Sequence, residues 1–513
     1  MTRAPFRPAL AAAVLCGVLA LPPTRGIGIP VIELPLLLAL LGLFGGVGRV
    51  VLTVALWLLS VQKMADLAMH QALGRSFNTV ADMPLIPASM NLIAGSFGQL
   101  AAVGAALVAT VAGCCLLWLI WWATGVWATQ KWQPHRRLTM LAVCAVVLIL
   151  PLAGQGAAEN GRYALSRVQL ARQTVADLRN LRRAAAEDPY AGQAGLLDQI
   201  DRDVLVIFVE SYGRASFDVE FLAERHLDTL QRAQARLAGA GLSVRSGFLS
   251  APTQGGQSWL SHASFANGLW VSDQTRYRAV LASGRQSIFH LARKAGFETA
   301  AVMPAITMPW PEAQRMGFDH ILPARDLGYR GKPFNWVTMP DQFTLTATDR
   351  LLRQDPDRAH LFAQIALVSS HAPWTPVPHL LDWDAIGDGS EFNDMAISGD
   401  SPRDVWRDRD RVRRHYRDSV DYALRTALEY AERQGPDGPL IFLLGDHQAA
   451  PGIAMDDGRD VALHVIGPED LVARTAGWGF TLGLIPPDES EAMPMDRMRD
   501  LILTGFTSGA APS

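Results

Sequence analysis

The sequence predicts an α-helical transmembrane bundle followed by an α/β domain with a mostly parallel sheet. Three observations carry this. First, charge is split along the chain. Residues 1–157 hold nine basic and three acidic side chains, which leaves 37 basic and 46 acidic ones for the rest of the 513 residues. Second, apolar runs recur in the first block near residues 8–22, 30–46, 50–62, 95–122 and 138–155. Third, beyond residue 200, short runs rich in β-branched residues alternate with stretches of helical periodicity. We expect a transmembrane domain over 1–157 with about five spans, an amphipathic linker helix over 158–200 and an extracytoplasmic domain over 201–513. The composition excludes a purely soluble protein, a disordered chain and a nucleic-acid binder that relies on bulk positive charge. Cys16, Cys114, Cys115 and Cys144 all lie in the apolar block. The outer domain therefore has no disulfide framework and no thiolate metal site.

A helix needs about 20 apolar residues to cross the hydrocarbon core. The run at 95–122 is long enough with tilt, those at 30–46 and 138–155 nearly fit, and 50–62 fits if 62–69 extends it. The first run follows Arg3 and Arg7, ends at Pro22-Pro23 and lacks a clean small-x-small site, so we expect an uncleaved anchor. With the N-terminus inside, the inner loops carry Arg3, Arg7, Arg49, Lys131, Arg136 and Arg137, and the outer ones Arg25, Lys63 and Arg75. That bias places the following domain outside, in the periplasm or its equivalent, on a multi-pass inner (plasma) membrane protein. Trp118, Trp121, Trp122, Trp127 and Trp132 crowd the inner end of the fourth run, as an aromatic belt does. Residues 72–91, with Pro84 and Pro87, are too polar and broken to span and should lie at the outer interface.

Leu165, Val168, Leu170, Val175, Leu178 and Leu181 are spaced as one face of a helix over 160–186. Buried parallel strands are expected at 203–209, 299–303, 361–368, 440–444 and 460–466, with helices at 217–240, 258–267, 286–296, 341–353 and 411–434. Residues 383–411 read as a charged surface loop. In open α/β sheets ligands bind beyond the carboxyl ends of the strands. The polar residues there are Glu210, then Ser369, Ser370 and His371, then Asp446 and His447. Two carboxylates and an imidazole suit Zn²⁺, Mn²⁺ or Mg²⁺. The plainer alternatives are a helix cap at Glu210 and a turn at Gly445-Asp446.

Thr253–Leu269, TQGGQSWLSHASFANGL, resembles the nucleophile segment of the alkaline phosphatase and sulfatase superfamily, C/S-x-P-S-R-A-S-L-L-T-G. With Ser258 at its first position, Ser261, Ala263, Ser264 and Gly268 fall on their counterparts. The chain order also agrees: an acidic residue after the first strand, the nucleophile, a middle histidine and a late Asp-His pair. With its apolar N-terminal block, the chain is most similar to the membrane-anchored branch: lipoteichoic acid synthases, phosphoglycerol transferases and phosphoethanolamine transferases. The resemblance implies an α/β sulfatase-like domain and one divalent ion (Mn, Zn or Mg) held by Glu210, Ser258, Asp446 and His447. It also implies a substrate-contacting, catalytic role for His371 in SSHAPW. Trp310-Pro311-Glu312 matches the W-N-R stretch by which lipoteichoic acid synthases grip phosphate, which marks Trp310 and Glu312 as substrate-binding candidates, without the Arg.

Leu260 stands where sulfatases have Pro or Ala, and His262 where they have Arg. The formylglycine-generating signature is therefore lost, and Ser258 is expected to act unmodified. The expected activity moves a phosphorylated head group from a membrane phospholipid to an envelope glycan or lipid acceptor through a phospho-serine. The alternatives are a hydrolase of phosphate or sulfate esters and a non-enzymatic binding module. Among lesser residues, His464 is either core or support behind the metal ligands, His262 packs its helix, and Asp341 caps a helix start.

Overall fold

Charge separation along the chain has a structural counterpart in two compact units, Met1–Asp177 and Leu178–Ser513. The computed structural model describes residues 6–21, 33–73, 75–130, 159–335 and 337–509. The fifth apolar run, with Lys131, Trp132, Arg136, Arg137 and Cys144, lies outside the described residues, as do Arg3 and Arg25.

The first unit contains α1 (Phe6–Ala20), α2 (Glu33–Leu73), α3 (Leu85–Phe97), α4 (Gln99–Ala128) and the start of α5 (Glu159–Ala186). By length and composition, Gln99–Ala128 and the stretch Glu33–Gln71, counted as a whole, are long and apolar enough to cross a membrane. The second and third apolar runs, expected as separate spans around Arg49, form one helical stretch broken only at Gly45 (φ 55°, ψ −126°). That break reverses the chain. Glu33 accepts from the Asn160 backbone N–H at 2.7 Å and from its side-chain amide, which also reaches the Leu19 carbonyl at 3.2 Å. Lys63 Nζ donates to the Leu19 and Leu21 carbonyls at 3.0 and 2.8 Å. Glu33 and Lys63 thus share one end of the unit, whereas a straight helix would hold them about 45 Å apart. The returning limb packs antiparallel to α4 through Thr53–Thr124 (2.7 Å) and Trp57 Nε1 to the Gly113 carbonyl (3.0 Å). Arg49 stacks on Trp121 at 3.7 Å. The polar stretch at 75–82 is tied by the Arg75–Asp82 pair, and α3, at 13 residues, is too short to span. Asp66 receives Tyr163 Oη at 2.6 Å, docking the start of α5.

The second unit is built on a nine-stranded sheet: β1 (Val204–Val209), β2 (Ser243–Ser250), β3 (Glu298–Met303), β4 (His320–Pro323), β5 (Leu361–Leu367), β6 (Leu440–Gly445), β7 (Asp460–Gly467), β8 (Thr481–Leu482) and β9 (Ala492–Pro494). The order is β4-β3-β5-β1-β6-β7-β2-β8, with β9 beside β2. From β4 to β6 all pairings are parallel; β7 is antiparallel to β6, and β2 to β7. All five expected strands form. β2, SVRSGFLS, lacks a continuous apolar run and shows no sequence signal comparable to its position between β7 and β8. β1 alternates between two cores: Leu205, Ile207 and Val209 face one, and Val204, Val206 and Phe208 the other. Helices α6 (Glu220–Gly239), α7 (Ser258–Asn267), α8 (Gln274–Leu281), α9 (Ile288–Lys294), α10 (Asp341–Leu352) and α11 (Arg409–Gln434) complete the layers that position the site. Residues 383–411 are not one loop. Short helical turns there bury Trp383, Phe392 and Val405.

Candidate active site

Register assembles the site. Val209 pairs with Leu367 on one side and Gly445 on the other, so β1, β5 and β6 end level. Glu210 and Asp446 are the next residues and emerge side by side. The close approach has a steric requirement: a Cβ on Gly445 would sit 1.9 Å from the Tyr212 carbonyl oxygen. Ser211, in the left-handed region at φ 60°, turns its backbone N–H onto Asp446 Oδ1 at 2.8 Å, and its hydroxyl donates to Glu210 Oε1 at 2.8 Å. Tyr416 Oη donates to the Ser211 carbonyl at 2.8 Å, and Ser370 Oγ to the Glu210 carbonyl at 2.6 Å. Strain in that region costs on the order of 1 kcal/mol or more and persists only where surroundings over-determine it.

Ser258 is the first residue of α7, and Gln257 before it is also left-handed, at φ 67°. Its hydroxyl donates to Glu210 Oε2 at 3.2 Å. Placement at a helix N-terminus gives this oxygen a partial positive field that favours its anionic form. Glu210, Asp446 and His447 offer ligand atoms within 4.8 Å of one another, all buried.

The electrostatics of this cluster call for a cation. His447 Nδ1 lies 3.1 Å from the Gln448 carbonyl, which can only accept, so Nδ1 carries the proton. Nε2 then turns towards Glu210 Oε1 (3.2 Å) and Asp446 Oδ2 (3.8 Å), the two carboxylates that act on it. A lone pair facing two carboxylates is repulsive until a proton or metal ion lies between them. Burial disfavours the imidazolium, but Asp446 and Glu210 outweigh it and raise the His447 pKa to about 9. Burial and then the Glu210 charge push Asp446 up to about 7. At Glu210 burial also pushes upward, but His447 wins and holds the carboxyl well below the usual range. The donor set fits a hard-to-borderline divalent ion.

His371 sits at the exposed mouth, close enough that its charge lowers the Glu210 pKa, although burial of Glu210 is the larger influence. Its Nδ1 is 2.6 Å from the Ala372 carbonyl, which leaves Nε2 for a ligand. His464 belongs to the core: Tyr212 Oη lies 3.0 Å from Nε2 and Ser246 Oγ 2.7 Å from Nδ1. Ser246 Oγ also reaches the Gly483 carbonyl at 2.6 Å, so its single proton is spent there and the histidine carries its own on Nδ1. Burial lowers the His464 pKa to about 3. Asp341 does not cap a helix; it opens α10 and its carboxylate turns away to the β5 exit.

A sulfatase family model matches residues 202–462, just over half of the chain, and the match includes Glu210, Ser258, His371, Asp446 and His447. The chain belongs to the sulfatase family. Among solved structures, this sulfatase-family chain is similar to the lipoteichoic acid synthase LtaP of Listeria monocytogenes (14% identity, 65% of this chain and 79% of that one, TM-score 0.38). It is also similar to the periplasmic domain of the phosphoethanolamine transferase EptC of Campylobacter jejuni (13%, 61% and 92%, 0.38). A third likeness is to the phosphoglycerol transferase GacH of Streptococcus pyogenes, solved with sn-glycerol-1-phosphate (13%, 65% and 92%, 0.35). No curated protein matches the sequence.

Against the sulfatase pattern, both departures point inward. Leu260 is fully buried, and the His262 ring packs 4.1 Å from Phe208, so it does not present a cation to the site as an arginine would. Trp310 packs near Phe318 (6.4 Å) beside the second core, and Glu312 lies on the short 3-10 turn after it. Among the described contacts none joins Trp310 or Glu312 to Glu210, Ser258, Asp446 or His447. Sequence reasoning missed Ser211, Tyr416 and Gln448. Gln448 accepts the Ala215 N–H at 2.8 Å and so braces the turn after Glu210. The ES and DHQ neighbourhoods were visible, but the role of each partner depends on the turn.

Proposed function

We propose that the chain is a membrane-anchored, metal-dependent phosphotransferase. It moves a phosphorylated head group, of phosphoglycerol or phosphoethanolamine type, from a membrane phospholipid to an envelope acceptor through a phospho-serine at Ser258. The observation that carries this reading is Ser258 Oγ at a helix N-terminus, 3.2 Å from Glu210 within the Glu210–Asp446–His447 cluster.

Glu210, Ser258, Asp446 and His447 would hold the ion, with Mn²⁺, Zn²⁺ and Mg²⁺ as its candidates. When bound, it supplies Lewis-acid charge that eases loss of the serine proton to solvent and neutralises phosphate oxygens. Ser258 Oγ then attacks phosphorus, the bond to the diacylglycerol oxygen breaks, and His371 Nε2 gives that oxygen a proton. In the second half the acceptor hydroxyl attacks the phospho-serine, returns a proton to His371 and frees Ser258. An unmodified serine suits phosphoryl transfer, because its phospho-ester can be attacked again at phosphorus. Orientation follows from the basic bias: the second unit faces the periplasm or its equivalent, on a multi-pass inner membrane protein whose apolar runs include the hairpin at Gly45.

The test is phospholipid labelled in its head group, given to full-length, metal-loaded protein. Diacylglycerol release with the label on an acceptor supports transfer. Release with the label only in water-soluble phosphate ester makes the protein a hydrolase, and no release rejects a phospholipid donor.

A further inference from the structure

The segment that carries His371 is held at both ends by two consecutive buried residues, Asp341 and Gln342, each fully inaccessible to solvent. Asp341 Oδ1 accepts the backbone N–H groups of Val368 (2.7 Å) and Ser369 (2.9 Å), and the Asp341 N–H donates back to Ser369 Oγ at 2.9 Å. Gln342 makes a reciprocal pair at the other end, donating to the Leu381 carbonyl at 2.8 Å and accepting its N–H at 3.0 Å. Between these anchors the chain is braced internally. The Trp374 indole donates to the Ser370 carbonyl at 2.7 Å, and the Asn335 amide to the Thr375 carbonyl at 2.6 Å. Trp374 itself is left-handed at φ 58° and stacks on Trp406.

An aspartate at a helix start ordinarily spends its oxygens on its own helix. Here one oxygen, Oδ1, goes to a loop 27 and 28 residues away in sequence. His371 is exposed, and among the described contacts its side chain has only the neighbouring Ala372 carbonyl as a partner. Its side-chain position must therefore come from its backbone. We infer that Asp341 and Gln342 are positioning residues for His371, setting its Nε2 where a leaving oxygen departs from phosphorus. The inference rests on the proton-donor role proposed above.

A positioning role predicts a leaving-group signature. Loss of a proton donor slows departure of an alkoxide far more than departure of p-nitrophenolate, which needs no proton. The experiment compares His371→Ala, Asp341→Ala, Asp341→Asn and the double variant His371→Ala/Asp341→Ala in detergent-solubilised, metal-loaded full-length protein. Each is assayed on phosphodiesters with an alkyl and with a p-nitrophenyl leaving group. We expect Asp341→Ala to lose roughly 10²-fold on the alkyl ester and only a few-fold on the aryl ester. Asp341→Asn, which keeps an acceptor oxygen for Val368 and Ser369, restores most of the alkyl rate. The double variant should be no slower than His371→Ala alone, because the two residues act as one unit. If Asp341→Ala does not fold, Gln342→Ala loosens the other anchor and is read in the same way. Equal loss on both esters, or multiplicative losses in the double variant, overturns the positioning role. Equal loss on both esters in His371→Ala removes instead the proton-donor role, and the double variant then still decides whether Asp341 acts through His371.

Discussion

At the scale of single residues, the site depends on a few side chains whose removal has separable effects. Ser258→Ala should abolish turnover, by about 10³-fold or more, while the protein still folds and inserts. Near-wild-type activity in purified, metal-loaded protein would move suspicion to Thr253, buried nearby with an unpartnered hydroxyl. Glu210→Ala, Asp446→Ala and His447→Ala should each lower bound metal, measured by elemental analysis. One equivalent retained in all three would refute the ion site. His464 gives a pH prediction. Its folded pKa of about 3 lies below the ordinary value of 6.5, so the unfolded chain binds the extra proton first. Its contribution to stability is full above about pH 6.5 and is lost as pH falls towards 3. Replacing it with the non-titrating His464→Gln should flatten the fall in stability over that window, read by denaturant unfolding; an unchanged slope contradicts the buried neutral ring.

At the scale of elements, the turn that follows β1 and packs against the end of its neighbour β6 governs the site. Gly445→Ala drives a methyl group into the Tyr212 carbonyl, so the strand end must shift. We expect a loss of about 1–3 kcal/mol in stability, together with lowered metal occupancy, because Asp446 is the next residue. Wild-type metal content with unchanged unfolding would contradict that geometry. The same elements show what the sequence makes legible. β1, β3, β5, β6 and β7 were visible because strands buried on both faces need continuous apolar runs. The α7 range 258–267 was readable from its nucleophile pattern and forms as expected. β2 was not, because its Ser, Arg and Gly residues carry little hydrophobic signal and its strand state comes from pairing. Asp341 was misread for a related reason. A local rule makes an aspartate at a helix start a cap, and only the tertiary fold brings Val368 and Ser369 within reach.

At the scale of the whole molecule, the chain couples an apolar helical unit to a sulfatase-family unit. Lys63 and Glu33 share one end of the first unit, whereas Arg49 stacks on Trp121 near the close of α4. The basic bias of the sequence is our ground for proposing the orientation in which the second unit leaves the cytoplasm. A reporter active only in the cytoplasm, joined after Ser513, should therefore be silent; activity there would reverse the topology. On the proposed function, phosphoryl transfer runs through an unmodified Ser258. The most direct measurement is mass spectrometry of the peptide containing Ser258, taken from full-length, metal-loaded protein quenched during turnover of head-group-labelled phospholipid. An unmodified serine is expected before substrate, and a labelled phospho-adduct on Ser258 during turnover. Formylglycine at position 258, or diacylglycerol release with no adduct on that serine under conditions that trap phospho-esters, would contradict it.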